Sequence, residues 1–105
     1  MKAAYIEKFG GPEVLIVGDL PDPVAGPGQI VVETAAASIN GADAKVCAGE
    51  YPGQPRFPLS LGRDFSGVVA TLGDGVSDMR VGDAVFGVLE TGRDGTYVEK
   101  LAIGA

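Results

Sequence analysis

The sequence predicts a small, mainly β domain in the form of a partly open barrel, and three observations lead to that prediction. Seventeen glycines and seven prolines in 105 residues imply many tight turns between short elements. Hydrophobic residues make up 46% of the chain, which is enough for one modest core. About six short strands and one short helix alternate with the turns, a pattern typical of a small barrel.

The first third of the chain predicts three strands. Residues 2–7 form the first strand, and a Gly-Gly-Pro turn at 9–12 ends it. The second strand covers 14–20 and begins with four apolar residues. The connector 21–28 contains three prolines, which donate no backbone N–H, so it should skirt the sheet. The third strand is the long apolar segment 29–39.

The best helical candidate is residues 40–48. Asn40 can cap this helix, and alanines follow it at 42 and 44. Gly49 is expected to end the helix. A loop at 52–58 comes next, and the remaining strands are predicted at 65–72, 84–89 and 96–103.

Composition excludes several classes of function. The net charge is −6, with 14 acidic and 8 basic residues and no basic stripe, so we expect no nucleic-acid partner. No apolar run approaches the roughly 20 residues of a membrane span, so we expect no membrane partner. The charged Glu7 and Lys8 leave no room for a signal peptide. A single cysteine fits a reducing compartment, which predicts a cytoplasmic location.

The complete absence of histidine is the most informative feature of the composition. It removes the usual general base and every catalytic triad that depends on histidine. With one cysteine, a zinc site has almost no ligands left, so no metal site is predicted. The G-x-G at Gly26 and Gly28 precedes a strand and lacks the third glycine of a dinucleotide-binding turn. The residues alone therefore indicate an acidic β domain without catalytic machinery of its own.

Three collinear stretches resemble the N-terminal domain of the medium-chain dehydrogenase/reductase superfamily. Residues 27–43 contain P-G-Q-I-V-V and A-A-S-I-N-G-A-D, similar to the family's P-G-x-[VI]-x-V and A-x-S-[VI]-N-x-x-D. Residues 61–85 contain L-G-R-D-F-S-G-V-V and V-G-D, and residues 95–99 read G-T-Y-V-E, similar to G-[TG]-[YF]-A-E. The resemblance implies a GroES-like, partly open β-barrel over residues 1–105. It also implies that the family's Rossmann-like nucleotide-binding domain, the expected partner, is not in this chain.

Individual positions within that resemblance imply the zinc-independent quinone oxidoreductase branch. Zinc alcohol dehydrogenases carry a cysteine ligand where Asn40 stands, and a Gly-His-Glu triplet where this chain has Gly-Arg-Asp at 62–64. A guanidinium cannot donate a lone pair to a metal. The implied reaction is hydride transfer from NADPH to a quinone or an enone. The alternatives are a zinc alcohol dehydrogenase, an enoyl reductase of the same superfamily, and a stand-alone binding module without catalysis.

The resemblance also implies roles for four residues, and each has a simpler structural interpretation. Tyr51, in G-E-Y-P, would line the substrate cleft and donate a proton, or it would only pack on a proline loop. Asp43 would lie at the cleft floor, or it would only complement the helix dipole. Asn40 would lie beside the nicotinamide while also capping the helix. Arg63 would approach a cofactor phosphate or an oxyanion, or it would only pair with Asp64.

Cys47 departs from the resemblance, because many relatives carry arginine at this position. We interpret it as a small, half-buried helix residue and not as a redox group. The departure leaves open which contacts this helix makes with a cofactor.

Overall fold

The computed structural model describes residues 1–39, 41–50, 56–89 and 95–105. Within these ranges the chain is mainly β, as predicted, with a single α-helix. The strands are β1 (Lys2–Ile6), β2 (Ile16–Asp19), β3 (Gln29–Ala37), β4 (Leu59–Ser60), β5 (Asp64–Leu72), β6 (Ala84–Val88) and β7 (Lys100–Gly104). The helix is α1 (Gly41–Cys47), and a short 3-10 helix covers Pro12–Val14. No helix in the described part is long and apolar enough to cross a membrane.

The strands form two open antiparallel sheets, with the orders β2-β1-β4 and β6-β5-β3-β7. Residues 97–98 connect them, since Val98 bridges to Ala3 and the Ala4 N–H donates to the Tyr97 carbonyl at 2.8 Å. The chain then moves to the other sheet, where β7 pairs with β3. All pairs among the described strands are antiparallel, so these residues do not include the parallel sheet of a dinucleotide-binding domain.

Two clusters of buried side chains form the core. The larger lies within the four-stranded sheet and comprises Ile30, Val32, Phe65, Val69, Leu89 and Leu101. The smaller lies under α1 and comprises Ile6, Cys47, Leu59 and Leu61. Alternate residues of β5 point inward, because successive side chains of a strand face opposite sides of the sheet. The smaller cluster fixes α1 against β1 and β4, and this positions the candidate site.

The strand predicted at 14–20 is shorter than expected. Pro12–Val14 forms a 3-10 turn, in which the Leu15 N–H donates to the Pro12 carbonyl at 3.2 Å. Proline favours the first position of such a turn, because its φ is preset and its missing N–H is not needed there. β2 is an edge strand paired only with β1, and Val17 is 77% exposed. The apolar run therefore does not mark a core strand.

The sequence prediction also missed one strand, and it treated as one strand two segments that pair with different partners. β4 has only two residues, too few for an alternating pattern to reveal it. The single strand predicted at 96–103 is instead a bridge at Val98 followed by β7 from Lys100. The strand is interrupted at the point where the chain stops pairing with β1 and begins to pair with β3. A sequence pattern does not show which strand a segment pairs with.

The end of the helix follows the prediction closely. Gly49 has a φ of 78°, the left-handed conformation that glycine adopts without strain. The Gly49 N–H donates to the Val46 carbonyl and the Glu50 N–H to the Lys45 carbonyl, which together make a Schellman motif. The predicted cap, Asn40, lies outside the described residues, as do residues 52–55 of the predicted loop.

Candidate functional site

The three stretches that carry the family resemblance meet around the start of α1. The Ser38 hydroxyl donates to Asp64 Oδ2 at 2.6 Å, which joins the first stretch to the second. The Tyr97 hydroxyl donates to Asp43 Oδ2 at 2.6 Å, which joins the third stretch to the first. The Tyr97 N–H donates to the Leu61 carbonyl at 2.8 Å and joins the third to the second. We call this arrangement the junction.

Asp43 is the buried carboxylate of the junction. It lies in the first turn of α1 and is only 6% exposed. Its hydrogen bond from Tyr97 spans 54 residues of sequence and therefore ties the helix to the segment that precedes β7. A hydrogen bond from a neutral hydroxyl to a carboxylate is among the stronger ones in proteins. Asp43 is thus held in place as well as complementing the helix dipole.

Tyr97 is a site residue that sequence reasoning missed, although it lies inside the third quoted stretch. Burial, then the hydrogen bond to Asp43, then the negative charge of Asp43 raise its pKa above the ordinary value of 10.0. The hydroxyl therefore stays protonated at neutral pH and acts as a donor. The available signal was a tyrosine between Gly95-Thr96 and Glu99, but only the fold shows which carboxylate it meets.

Gly62 lets the Tyr97 ring approach the turn before β5. Its φ is 100°, and a Cβ at this position would lie 2.7 Å from Tyr97 Cδ1. Any larger residue would be strained by its own backbone and would also displace the ring. The glycine of the Gly-Arg-Asp triplet is therefore needed for packing at the junction.

Arg63 follows this turn and is half-buried. Its carbonyl accepts from the Leu89 N–H at 2.7 Å, which fixes its backbone beside the end of β6. The expected pair with Asp64 is not found. The two ion pairs between described residues both involve Asp22, and Asp64 instead accepts from Ser38. Arg63 thus forms no salt bridge with any described side chain.

The other two predicted site residues, Asn40 and Tyr51, lie outside the described residues. Their neighbours are described, because Gly41 begins α1 and Glu50 follows its C-terminal motif. The structure thus brings Asp43 and Arg63 to one junction and leaves the roles of Asn40 and Tyr51 as predictions.

Cys47 lies on the buried side of α1 and is 6% exposed, so it is more deeply buried than the sequence suggested. Its Sγ donates weakly to the Gly11 carbonyl at 3.7 Å. Burial, and secondly the charge of Glu13, raise the pKa of the thiol, so it is neutral near pH 7. Within the described residues no three Cys, Asp or Glu side chains are grouped as metal ligands would be.

Comparison with known proteins supports the resemblance. Residues 26–104 match the family described as the alcohol dehydrogenase GroES-like domain. The quinone oxidoreductase of Lama guanicoe is 34% identical over 87 residues, which are 82% of this chain and 26% of that protein. The phthioceranic/hydroxyphthioceranic acid synthase of Mycobacterium tuberculosis (strain ATCC 25618 / H37Rv) is 47% identical over 73 residues, which are 70% of this chain and 3% of that protein.

Solved structures show the same fold. The quinone oxidoreductase from Coxiella burnetii superposes with a TM-score of 0.91 at 33% identity, over 99% of this chain and 34% of that one. An NAD-dependent alcohol dehydrogenase superposes with a TM-score of 0.90 at 32% identity, over 99% of this chain and 37% of that one. The chain thus spans about a quarter to a third of the two quinone oxidoreductases and 3% of the synthase. It belongs to the alcohol dehydrogenase GroES-like domain family, in the quinone oxidoreductase branch of the medium-chain dehydrogenase/reductase superfamily.

Proposed function

We propose that this chain is the substrate-side domain of a zinc-independent reductase that uses NADPH to reduce a quinone or an enone. The observation that carries the proposal is the Gly62–Arg63–Asp64 turn at the junction, in a chain without any histidine. A cation that cannot bind a metal stands where a zinc enzyme of the superfamily needs a ligand. Catalysis would then rely on orientation and on hydrogen-bond donors at the developing oxyanion.

The residues of this chain do not fit a complete dinucleotide site. α1 has seven residues and follows β3 without a G-x-G-x-x-G turn, so no phosphate cradle lies at its start. We therefore assign the cofactor, which supplies the hydride, to a separate nucleotide-binding domain. This chain would contribute Asn40 and Arg63 beside it.

The 105-residue chain alone is accordingly expected not to bind NADPH. Calorimetric titration should give no saturable heat, because the groups that hold a pyrophosphate are missing. Micromolar binding would show that the cofactor site has been assigned to the wrong domain.

The chain's own residues have distinct roles in this proposal. Tyr97 and Asp43 are positioning residues, because their hydrogen bond fixes α1, which Asn40 precedes and Tyr51 follows in the sequence. Tyr51 would stack on the acceptor and donate a proton to the oxygen that gains charge. The Arg63 guanidinium would stabilise negative charge close to the junction.

A chimera tests the proposal. The chain replaces the corresponding third of the Coxiella burnetii quinone oxidoreductase, and NADPH oxidation is followed with p-benzoquinone. The chimera should be active, and Tyr51→Phe should lower kcat/KM for the quinone about 10-fold while leaving NADPH affinity unchanged, because one hydroxyl donor is lost. A chimera that binds NADPH but reduces no quinone would contradict the proposal. Full activity of Tyr51→Phe would remove Tyr51 from it.

An enoyl reductase of the same superfamily is the second candidate. The 47% identity to an acid synthase of Mycobacterium tuberculosis favours keeping this alternative. The two candidates differ in the acceptor, so the same chimera should be assayed with crotonyl-CoA. A kcat/KM for crotonyl-CoA above that for p-benzoquinone would select the second candidate.

A further inference from the structure

A tight turn follows β5, and it places an aspartate directly before a glycine. The Val76 N–H donates to the Gly73 carbonyl at 3.3 Å, which closes the turn. Gly75, the third residue of the turn, has a φ of 82°, which a residue with a side chain rarely adopts. Because glycine has no Cβ, the peptide nitrogen that follows Asp74 is the least hindered kind that a chain can offer.

The Asp74 carboxylate and the Gly75 nitrogen are both accessible and unengaged. Asp74 is exposed, and its carboxylate makes no hydrogen bond or ion pair with any described residue. The Gly75 N–H likewise donates to no residue in the described part of the chain. A Cβ at Gly75 would meet nothing within 4 Å, so the space beside this nitrogen is open. No neighbouring group therefore keeps the carboxyl carbon of Asp74 away from the nitrogen.

The other described aspartates lack this combination. Each is followed by a residue with a side chain, which crowds the peptide nitrogen or, in the case of Pro23, removes its hydrogen. These aspartates are Asp19, Asp22, Asp43, Asp64, Asp78 and Asp83. Asp94 is also followed by glycine, but it lies outside the described residues.

We propose that Asp74 is a site of spontaneous isomerisation to isoaspartate, in which the main chain is rerouted through the side chain of this residue. The Gly75 nitrogen forms a bond to Asp74 Cγ, and the hydroxyl of the protonated carboxyl leaves with the amide hydrogen as water. Water then opens the resulting succinimide ring at the original backbone carbonyl. One water is lost and one is gained, so the step needs no other reactant. The inference does not rest on the proposed reductase activity.

The modification changes a contact between this turn and the residues before β3. The Gly28 N–H donates to the Asp74 carbonyl at 2.8 Å, and the Gly73 N–H donates to the Gln29 carbonyl at 2.7 Å. In isoaspartate the former backbone carbonyl becomes a free carboxylate, and the main chain of the turn gains one carbon atom. The longer turn no longer fits the bond from Val76 to Gly73, so the Gly28 and Val76 amides should lose protection from hydrogen exchange.

The test follows the folded 105-residue chain during prolonged incubation in mildly acidic buffer at physiological temperature. Trypsin should release residues 64–80 as one peptide, which contains Asp64, Asp74 and Asp78 and so carries its own controls. Electron-transfer fragmentation in a mass spectrometer distinguishes isoaspartate from aspartate at each position. Isoaspartate should accumulate at Asp74 and not at Asp78, which is also exposed but precedes a methionine. No isoaspartate at Asp74, or equal amounts at both positions, would overturn the proposal.

Two variants of Asp74 test the ring closure itself. Asp74→Glu keeps the charge at an exposed position but would have to close a six-membered ring, so it should resist conversion and keep the protection of the Gly28 and Val76 amides. Asp74→Asn closes the same five-membered ring with loss of ammonia in place of water, and it should convert faster than the wild type. Conversion of Asp74→Glu at the wild-type rate, or an equal loss of amide protection in that variant, would contradict the proposal.

Discussion

Replacing Gly67 with alanine is expected to destabilise the domain by about 3 kcal/mol or more, because β3 leaves no room for a side chain there. Gly67 is buried in β5 opposite Thr34, where the register shifts between Thr34 and Ala36. A Cβ at Gly67 would overlap the Glu33 carbonyl oxygen and lie 2.7 Å from Val32 Cγ1. Backbone cannot move aside as a flexible side chain can, so the central strand pair would have to separate.

Gly104→Ala is the matched control for this substitution. Gly104 is also a strand glycine, but a Cβ there would meet nothing within 4 Å. Its replacement should change stability by less than about 1 kcal/mol, in the favourable direction if at all. Urea unfolding followed by circular dichroism measures both. A lower urea midpoint for Gly67→Ala, or its failure to fold while Gly104→Ala folds normally, would agree with the close approach of Gly67 to β3. Equal urea midpoints for the two variants would contradict it.

Tyr97→Phe is expected to cost about 2 kcal/mol, since it removes a hydrogen bond to a buried carboxylate. The ring still packs on Gly62 and the smaller core cluster, so the loss belongs to the hydroxyl. Tyr5→Phe is the control, because the Tyr5 hydroxyl makes no hydrogen bond to any described residue and its removal should cost less than about 0.5 kcal/mol. Equal costs at the two positions would show that the bond to Asp43 contributes nothing.

The difference between wild type and Tyr97→Phe should depend on pH. The pKa of Tyr97 is raised in the folded state, so folding favours the neutral hydroxyl. The hydroxyl's contribution is fully present below the unfolded pKa of about 10.0 and is lost as the pH rises above it towards the folded pKa. The unfolding curves of the wild type and of Tyr97→Phe should therefore converge as the pH rises above about 10. A difference that stays constant over this range would contradict the raised pKa.

Local signals in the sequence predicted much of this fold. The elements that were missed are those whose position depends on a strand far away in the sequence. Gly49 ends α1 as expected, because a left-handed terminal residue is a local requirement. The apolar run at 14–17 misled because a short-range pattern does not distinguish a core strand from an edge strand that starts with a 3-10 turn. β4 escaped because two residues have no periodicity, and its position depends on β1, more than fifty residues earlier in the chain.

At the candidate site, too, local motifs were predictable and long-range contacts were not. The motifs drew attention to Asp43 and Arg63, and both lie at the junction. The donor to Asp43, Tyr97, could not be identified, because a contact across 54 residues depends on how the two sheets join. The Arg63–Asp64 pair was expected from adjacency, but Arg63 lies in the turn before β5 and Asp64 accepts from Ser38 instead.

The central claim, that this domain belongs to a reductase that works without zinc, is tested most directly by one measurement on the chimera described above. The rate of NADPH oxidation with p-benzoquinone is compared before and after exhaustive dialysis against a zinc chelator. The account predicts an unchanged rate, because the chain offers no histidine and its single cysteine is buried against Gly11. A rate that is lost on chelation and restored by added zinc would contradict it.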